Sequence, residues 1–227
     1  MKTQLNLLFV LVLGLSLAAC QNQSEATEAG EAVEVPAEAT LGSATLNVDT
    51  QLSVIDWKGR KIVGDDSHTG TLNLASGQLN VKDDQLVGGS FVIDMNSLTN
   101  TDMAGSDGQA KLEGHLKSGD FFELGQYPTA SFEIAGVAAV DTVSGASHMI
   151  TGNLTMKDVT KSVSFPASVM MKEGSVLATT LPFTINRTDW NVQYGSTLLG
   201  VVKDKAISDD VTLTIKVRGV MPEAQLQ

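Results

Sequence analysis

Ser106-Asp107-Gly108-Gln109-Ala110-Lys111-Leu112-Glu113-Gly114-His115-Leu116-Lys117-Ser118-Gly119-Asp120-Phe121-Phe122-Glu123-Leu124-Gly125-Gln126-Tyr127-Pro128 is the one stretch where a helical pattern interrupts a chain otherwise patterned as short strands. Ser106 with Gln109 three residues on has the form of a capping box, which satisfies the first unpaired N–H groups of a helix. Leu112 and Leu116 are four apart and share a face, with Lys111, Glu113 and Lys117 on the other. Gly119 follows the last turn, where a left-handed residue commonly ends a helix. Phe121 and Phe122 then place two bulky rings directly after the stop. A helix of about ten residues is marginal alone, so its apolar stripe must lie on something. The expectation is a short helix, about 107–118, lying across the mouth of a β-barrel.

Outward from this stretch, alternation of apolar and polar residues recurs at close spacing. Leu46 and Val48, Ile55 and Trp57, Leu72 and Leu74, and Leu79 and Val81 precede the helix, with a longer run at Val87, Gly89, Phe91, Ile93 and Met95. After it come Ala130, Phe132 and Ile134, then Gly152, Leu154 and Met156. Val163, Phe165, Ala167, Val169 and Met171 form one face, Leu177, Thr179, Leu181, Phe183 and Ile185 another, and Val211, Leu213, Ile215 and Val217 a last one. Strict alternation marks antiparallel strands with one face in water. Gly64-Asp65-Asp66, Lys82-Asp83-Asp84, Ser144-Gly145 and Lys172-Glu173-Gly174 supply the turns. About eight such strands fit a sandwich or an up-and-down barrel. Long strands favour the barrel, which leaves no exposed edge. An eight-stranded interior is either filled by side chains or holds one small ligand, and the pattern alone leaves both open.

Fifteen basic against 26 acidic residues give a net charge of −11. That disfavours nucleic acid, whose binders carry basic patches. The single cysteine, Cys20, excludes an internal disulfide and a cysteine-based metal cluster. Its place explains it: Lys2, the apolar run Leu5–Leu15 and Leu17-Ala18-Ala19-Cys20 read as a secretory signal peptide over 1–19. The last four residues resemble the lipobox of bacterial lipoproteins, which implies acylation of Cys20. Acyl chains would then anchor the protein to a membrane of the bacterial cell envelope, facing the periplasm or the exterior. Residues 20–42, rich in alanine and glutamate without aromatics, are expected to be a disordered acidic tether. The folded domain follows over 43–220, with a short tail at 221–227.

His115-Leu116-Lys117-Ser118, Asp120-Phe121-Phe122-Glu123 and Tyr127-Pro128 resemble the signature of the YceI-like family. So do Ser53-x-Ile55-x-Trp57 with His68-Thr69-Gly70, and Gly89–Leu98. Gly152–Lys161 and Asn186-Arg187-Thr188-Asp189-Trp190 complete five motifs in the family's order. The resemblance implies an all-β domain, an eight-stranded antiparallel lipocalin-like barrel, whose lumen holds a long isoprenoid lipid of quinone or polyprenyl type. It also implies a binding protein rather than an enzyme. The lipobox and tether depart from the free periplasmic members and favour local capture or sequestration over long-distance transport.

On this basis Trp57, Phe91, Ile93, Phe132, Ile134, Leu154, Phe165, Val169 and Phe183 are expected to line the lumen. Leu116, Phe121, Phe122 and Trp190 are expected to form its lid, with His115 at the mouth bonding either a headgroup or Asp120. Asp120, Tyr127, Arg187 and Asp189 are expected to be structural, the last two as an ion pair fixing a loop. No HxH or HExxH places a metal, and no nucleophile elbow or phosphate loop occurs. No cofactor is expected beyond the lipid, and the pattern sets no oligomeric state, a dimer included. A surface structural or adhesive lipoprotein with a solid barrel and an isoprenoid-processing enzyme are the competing readings.

Overall fold

The computed structural model describes residues 27–141, 145–172 and 174–222. The signal segment, Cys20, Ser144 and Glu173 lie outside them. The elements in order are β1 (Gly30–Glu31), β2 (Ala44–Val48), β3 (Val54–Arg60), β4 (Ser67–Lys82), β5 (Gln85–Asn100), α1 (Asp107–Lys117), β6 (Thr129–Ala139), β7 (His148–Met156), β8 (Val159–Lys172), β9 (Ser175–Thr180), β10 (Phe183–Asn186) and β11 (Asp210–Val220). All strand pairs are antiparallel. From β3 through β4, β5, β6, β7 and β8 to β9, and through β11 back to β3, they close a ring of eight.

Two of the eight staves are broken. β2 and β3 both pair with β4 and β11, separated by a turn in which Asp49 Oδ1 accepts the N–H groups of Gln51 and Leu52. β9 and β10 share the other stave, and Leu181-Pro182 interrupts it. Proline has no N–H to give a ladder. β9 pairs with both β8 and β11, whereas β10 pairs with β11 alone. The interruption also shifts the phase by one residue. Val176 and Thr180 are buried in β9, with Ala178 beside the interior, then Phe183 and Ile185 in β10. The single inward row through Leu177, Thr179 and Leu181 expected from alternation is therefore wrong on the β9 side of the break.

The segment expected to be a free tether is docked where it is described. Thr27 N–H donates to Thr184 O in β10, and Gly30 and Glu31 pair with Ser162 and Lys161 of β8. It thus occupies the seam that β10 leaves beside β8, and Ala29 packs on the core there. Val33 then exchanges two hydrogen bonds with the Asn153 side chain, N–H to Oδ1 at 2.9 Å and Nδ2 to O at 2.8 Å. Farther on, Lys82 Nζ donates to Leu41 O. The acidic composition predicts disorder only for a chain with nothing to pair with; open backbone groups at the seam reverse that.

Long hairpins form the rest of the wall. Asp83-Asp84 and Lys157-Asp158 turn β4–β5 and β7–β8, all four residues with φ between 49° and 59°, as the twist of tight hairpins requires. Lys157 is fixed by more than its turn: Nζ donates to Phe121 O at 2.9 Å. That bond ties the β7–β8 hairpin to the segment after α1.

Candidate functional site

α1 lies over one end of the barrel. Ser106 caps it, its Oγ accepting the Gln109 N–H at 3.2 Å. The reciprocal arm differs from a standard box: Gln109 Oε1 accepts from Gly105 N–H, and Nε2 donates to Asn100 O. Glu113, expected in water, accepts the Asn100 N–H at 2.8 Å. The polar side of α1 is thereby bolted to the end of β5, with Lys117 Nζ donating to Asn96 O. Ser118 ends the helix in extended conformation, its N–H and Oγ both donating to His115 O. Gly119 has no positive φ, so the expected left-handed stop is not used.

Beneath Leu112 and Leu116 of α1 lies a cavity of about 330 Å³, within the usual size of ligand pockets. Its walls are almost wholly apolar. Of the residues expected to line the lumen or cover it, Trp57, Ile93, Leu116, Phe121, Phe122 and Leu154 do so here. A second cavity of about 100 Å³ lies deeper, bounded by Phe91, Phe132, Ile134, Phe165 and Phe183 and sharing Ile93, Leu154 and Leu213 with the first. The interior is thus two adjoining chambers rather than one open tube. Ile93, Leu154 and Leu213 border both, and a train of rings lines the deeper one: Phe91–Phe132, Phe132–Phe165 and Phe165–Phe183 centroids lie 6.4, 5.6 and 4.4 Å apart. Glycine makes room for them; a Cβ on Gly152 would come within 2.4 Å of the Phe132 ring.

Three expected site residues line neither chamber. Val169 packs against the core beyond the deep one. Trp190 is fully buried, and its indole N–H donates to Leu154 O at 3.0 Å, making it a wedge behind the wall. His115 turns to Asp120, 3.0 Å from Nε2 to Oδ2, and sits edge-on to Phe121 and Tyr194. Tyr127 caps the turn after Phe122, its N–H on Glu123 O and its hydroxyl accepting from Gln126.

Arg187 is structural, with a different partner from the one expected. Its guanidinium donates to Ser208 O, Val192 O, Ile207 O and, at 3.1 Å, to Asp209 Oδ1. Burial lowers its pKa against the opposing pull of Asp209. Asp189 has its pKa raised by burial, with Lys161 acting the other way. Two residues apart at the start of a 3-10 turn, Arg187 and Asp189 point to different neighbours. Asp209, distant in sequence, carried no local signal.

Residues that sequence reasoning did not single out also line the upper cavity, among them Met95, Leu98, Met156 and Ile185. Its rim is polar and, apart from exposed Arg60, paired. Lys61 Nζ lies 2.6 Å from Asp66, which lowers that carboxyl's pKa. Burial would raise Asp102, but hydrogen bonds from His68, Thr69 N–H and Asn100 outweigh it and hold the carboxyl at about 2. One polar group stands apart. Trp57 Nε1 is the only covered side-chain nitrogen or oxygen among the described residues without a hydrogen-bond partner. Its ring is pinned against Gly70, where a Cβ would approach it to 2.5 Å and the Thr99 carbonyl oxygen to 1.9 Å. Among the described residues no cluster of three or more His, Cys, Asp or Glu could hold a metal, and no helix is long and apolar enough to cross a membrane.

The family model described as the YceI-like domain matches residues 46–219. A UPF0312 protein of Pseudomonas paraeruginosa is 46% identical over 61 residues, 27% of this chain and 30% of the relative, so the chain spans about a third of that curated protein. Among solved structures, BcnA of Burkholderia cenocepacia aligns with a TM-score of 0.58 at 18% identity, covering 75% of this chain and 98% of that one. A polyisoprenoid binding domain from Saccharophagus degradans, described as implicated in plant cell wall breakdown, aligns at 0.55 and 17%, covering 79% and 99%. At those identities the two structures speak to the fold, which is the same ring of strands. With the family model spanning nearly the whole barrel, the chain belongs to the YceI-like family.

Proposed function

We propose that the protein binds a neutral isoprenoid lipid of quinone type in the barrel, and does so without catalysis. What supports the reading most is the apolar cavity under α1 with the unpartnered Trp57 N–H in its wall. Apolar burial gains about 0.8 kcal/mol per CH₂, offset in part by ordering a flexible chain. A prenyl tail therefore needs dry walls and few polar contacts. An indole N–H is a donor only, and leaving it unpaired costs about 1–3 kcal/mol. A ligand carbonyl or hydroxyl oxygen reaching it as neighbouring side chains yield would remove that cost. A phosphate buried beside the indole would be poorly matched by the cations that line the cavity: Arg60 is exposed at the rim, Lys61 is paired with Asp66, and four N–H groups of Arg187 are already bonded, and a buried uncompensated charge is expensive. That favours a quinone or similar head over a polyprenyl phosphate.

The two-chamber interior sets the tail's course. The head and first units occupy the upper cavity, and the tail meets the phenylalanine train below. Acylation of Cys20 would hold this binding site at a membrane of the cell envelope, where local capture or sequestration is its role. A solid-cored adhesive barrel is disfavoured by the cavity. An isoprenoid-processing enzyme would need unengaged polar groups converging at the mouth, whereas Lys61–Asp66 and His68–Asp102 are already engaged with each other. The test is mass spectrometry of an organic extract from the purified protein. A recurrent oxygen-bearing isoprenoid is expected, and a protein that never carries lipid would refute the reading.

A further inference from the structure

The apolar side chains that the barrel leaves in water are concentrated at its mouth. Ile62 and Val63 are 37% and 53% exposed in the β3–β4 turn, and Leu198, Leu199 and Val202 are 69%, 62% and 60% exposed in the β10–β11 loop. The other large exposed apolar residues along the wall, such as Leu52 and Met170, are scattered singly and need no explanation. The two mouth loops are joined. Ile62 N–H donates to Ala206 O at 3.0 Å, and Lys61 bridges to Ile207. Both Lys61 and Ile207 line the upper cavity, so the exposed tips stand beside its entrance.

Nor is the exposure a frayed end. Ser196 Oγ donates to Asp209 and accepts the Leu198 N–H, and Gly200 closes the 3-10 turn Thr197–Leu199 at φ 77°. Arg60 at the end of β3 and Lys203 and Lys205 in the β10–β11 loop are exposed here beside Asp65 and Asp204, with Lys61 paired to Asp66, so the mouth carries a slight excess of cations on a chain whose net charge is −11.

We infer that these tips form a docking surface for an anionic lipid bilayer, with the leucines and valines entering the interface and the cations meeting lipid headgroups. Amphipathic elements bind membranes by this division of labour, apolar area below and basic groups at headgroup level. A protein partner fits less well. Protein hot spots rest on aromatic anchors, whereas five of the six exposed tips here are aliphatic and project from two turns, and the one aromatic, Tyr194, 43% exposed, leans on His115 and Phe121, as a tyrosine at a membrane interface can. Docking here sets the cavity entrance against the bilayer, so a water-insoluble ligand passes without crossing water. The inference extends the lipid-binding reading but stands on a separate observation, and vesicle binding is read without cargo, so the two can fail independently.

The experiment uses the chain from residue 20 onward with Cys20→Ser, which removes both the apolar signal segment and any acyl anchor, and flotation with vesicles of phosphatidylethanolamine mixed with phosphatidylglycerol. The parent is expected to float. Leu198→Asp with Leu199→Asp should lower the partition coefficient by about tenfold or more, with unchanged thermal unfolding because both residues are exposed. Leu52→Asp with Met170→Asp, two exposed apolar residues away from the mouth, should float like the parent. Lys203→Glu with Lys205→Glu should lose binding to the mixed vesicles but not to phosphatidylcholine ones. A parent that ignores vesicles, a leucine pair without effect, or an equal loss from the Leu52 and Met170 pair would overturn the inference.

Discussion

Ala130 sits in β6 opposite Ile93 and lines the upper cavity, buried to 4% exposure. Replacing it by leucine adds three carbons to a wall facing empty space. At about 0.8 kcal/mol per buried CH₂ the gain is about 2.4 kcal/mol, less ~0.5–1 kcal/mol for fixing the leucine rotamer. The lipid-free protein should therefore be stabilised by about 1.5 kcal/mol, a rise in Tm of about 3–6 °C at this size. Occupancy by isoprenoid should fall together with that rise, because the added side chain takes the ligand's space. The sign makes the test sharp. In a close-packed interior the same insertion would overpack and cost about 1–3 kcal/mol. Delipidated wild type and Ala130→Leu would be compared by thermal and urea unfolding, with the lipid content of each quantified by mass spectrometry of parallel native preparations. A variant that melts lower than wild type, or that keeps its full lipid load, would refute a ligand-sized void under the helix.

Trp57→Phe should lower retention of an oxygen-bearing isoprenoid by about tenfold, the worth of one hydrogen bond, and leave binding of the corresponding hydrocarbon nearly unchanged; competition between the two in a mass-spectrometric assay reads this. Phe165→Leu should thin the ring train of the deeper chamber and move the bound population toward longer tails, read from the extract. Gly70→Ala should destabilise the barrel by more than about 2 kcal/mol, since its Cβ would meet the Thr99 carbonyl and the pinned indole; urea unfolding measures it. Asp102 has its folded pKa lowered from 3.8 to about 2, so its contribution is fully present above pH ~4 and fades as pH falls toward ~2. Asp102→Asn should flatten the loss of stability across that interval, as followed by acid titration of unfolding.

Much of this architecture can be read directly from residue order. Period-two alternation over β8, β11 and the middle of β5, Gly89 to Met95, identifies both strand and inward face, because a pleated strand must send alternate side chains to one side; at the start of β5 a register shift against β4 turns Leu86 inward instead of the expected Val87. The helix is legible for the complementary reason: Leu112 and Leu116 recur at helical spacing beside a capping serine. Failures of the reading begin where a distant partner decides. Pro182 signals a break, yet which side of it keeps the phase depends on how β10 meets β11. Arg187 takes Asp209 because the start of β11 returns beside it, a fact of topology with no trace in the neighbouring residues. Thr27–Glu31 has the composition of a spacer, and only the open edge beside β10 gives it a place to pair. Trp190 reads as a lid aromatic until its N–H is seen to engage Leu154 O, which turns the ring into the wall. Cavity volume is the least legible quantity of all, since it is the small difference between the space the strands enclose and the side chains that occupy it.

The seam-filling segment would shorten the leash of a chain anchored, as proposed, through acyl groups on Cys20. Thr27 is bonded to β10, so only the six residues 21–26 separate an acylated Cys20 from the barrel wall. Seven residue steps span no more than about 25 Å even when straight, less than the reach of the spacer read from composition. A molecule so moored would not wander far from its lipid leaflet, and the search for a membrane-borne ligand would become a matter of tilting rather than diffusing. Its effective concentration at that leaflet would then be set by the mooring length instead of by expression level.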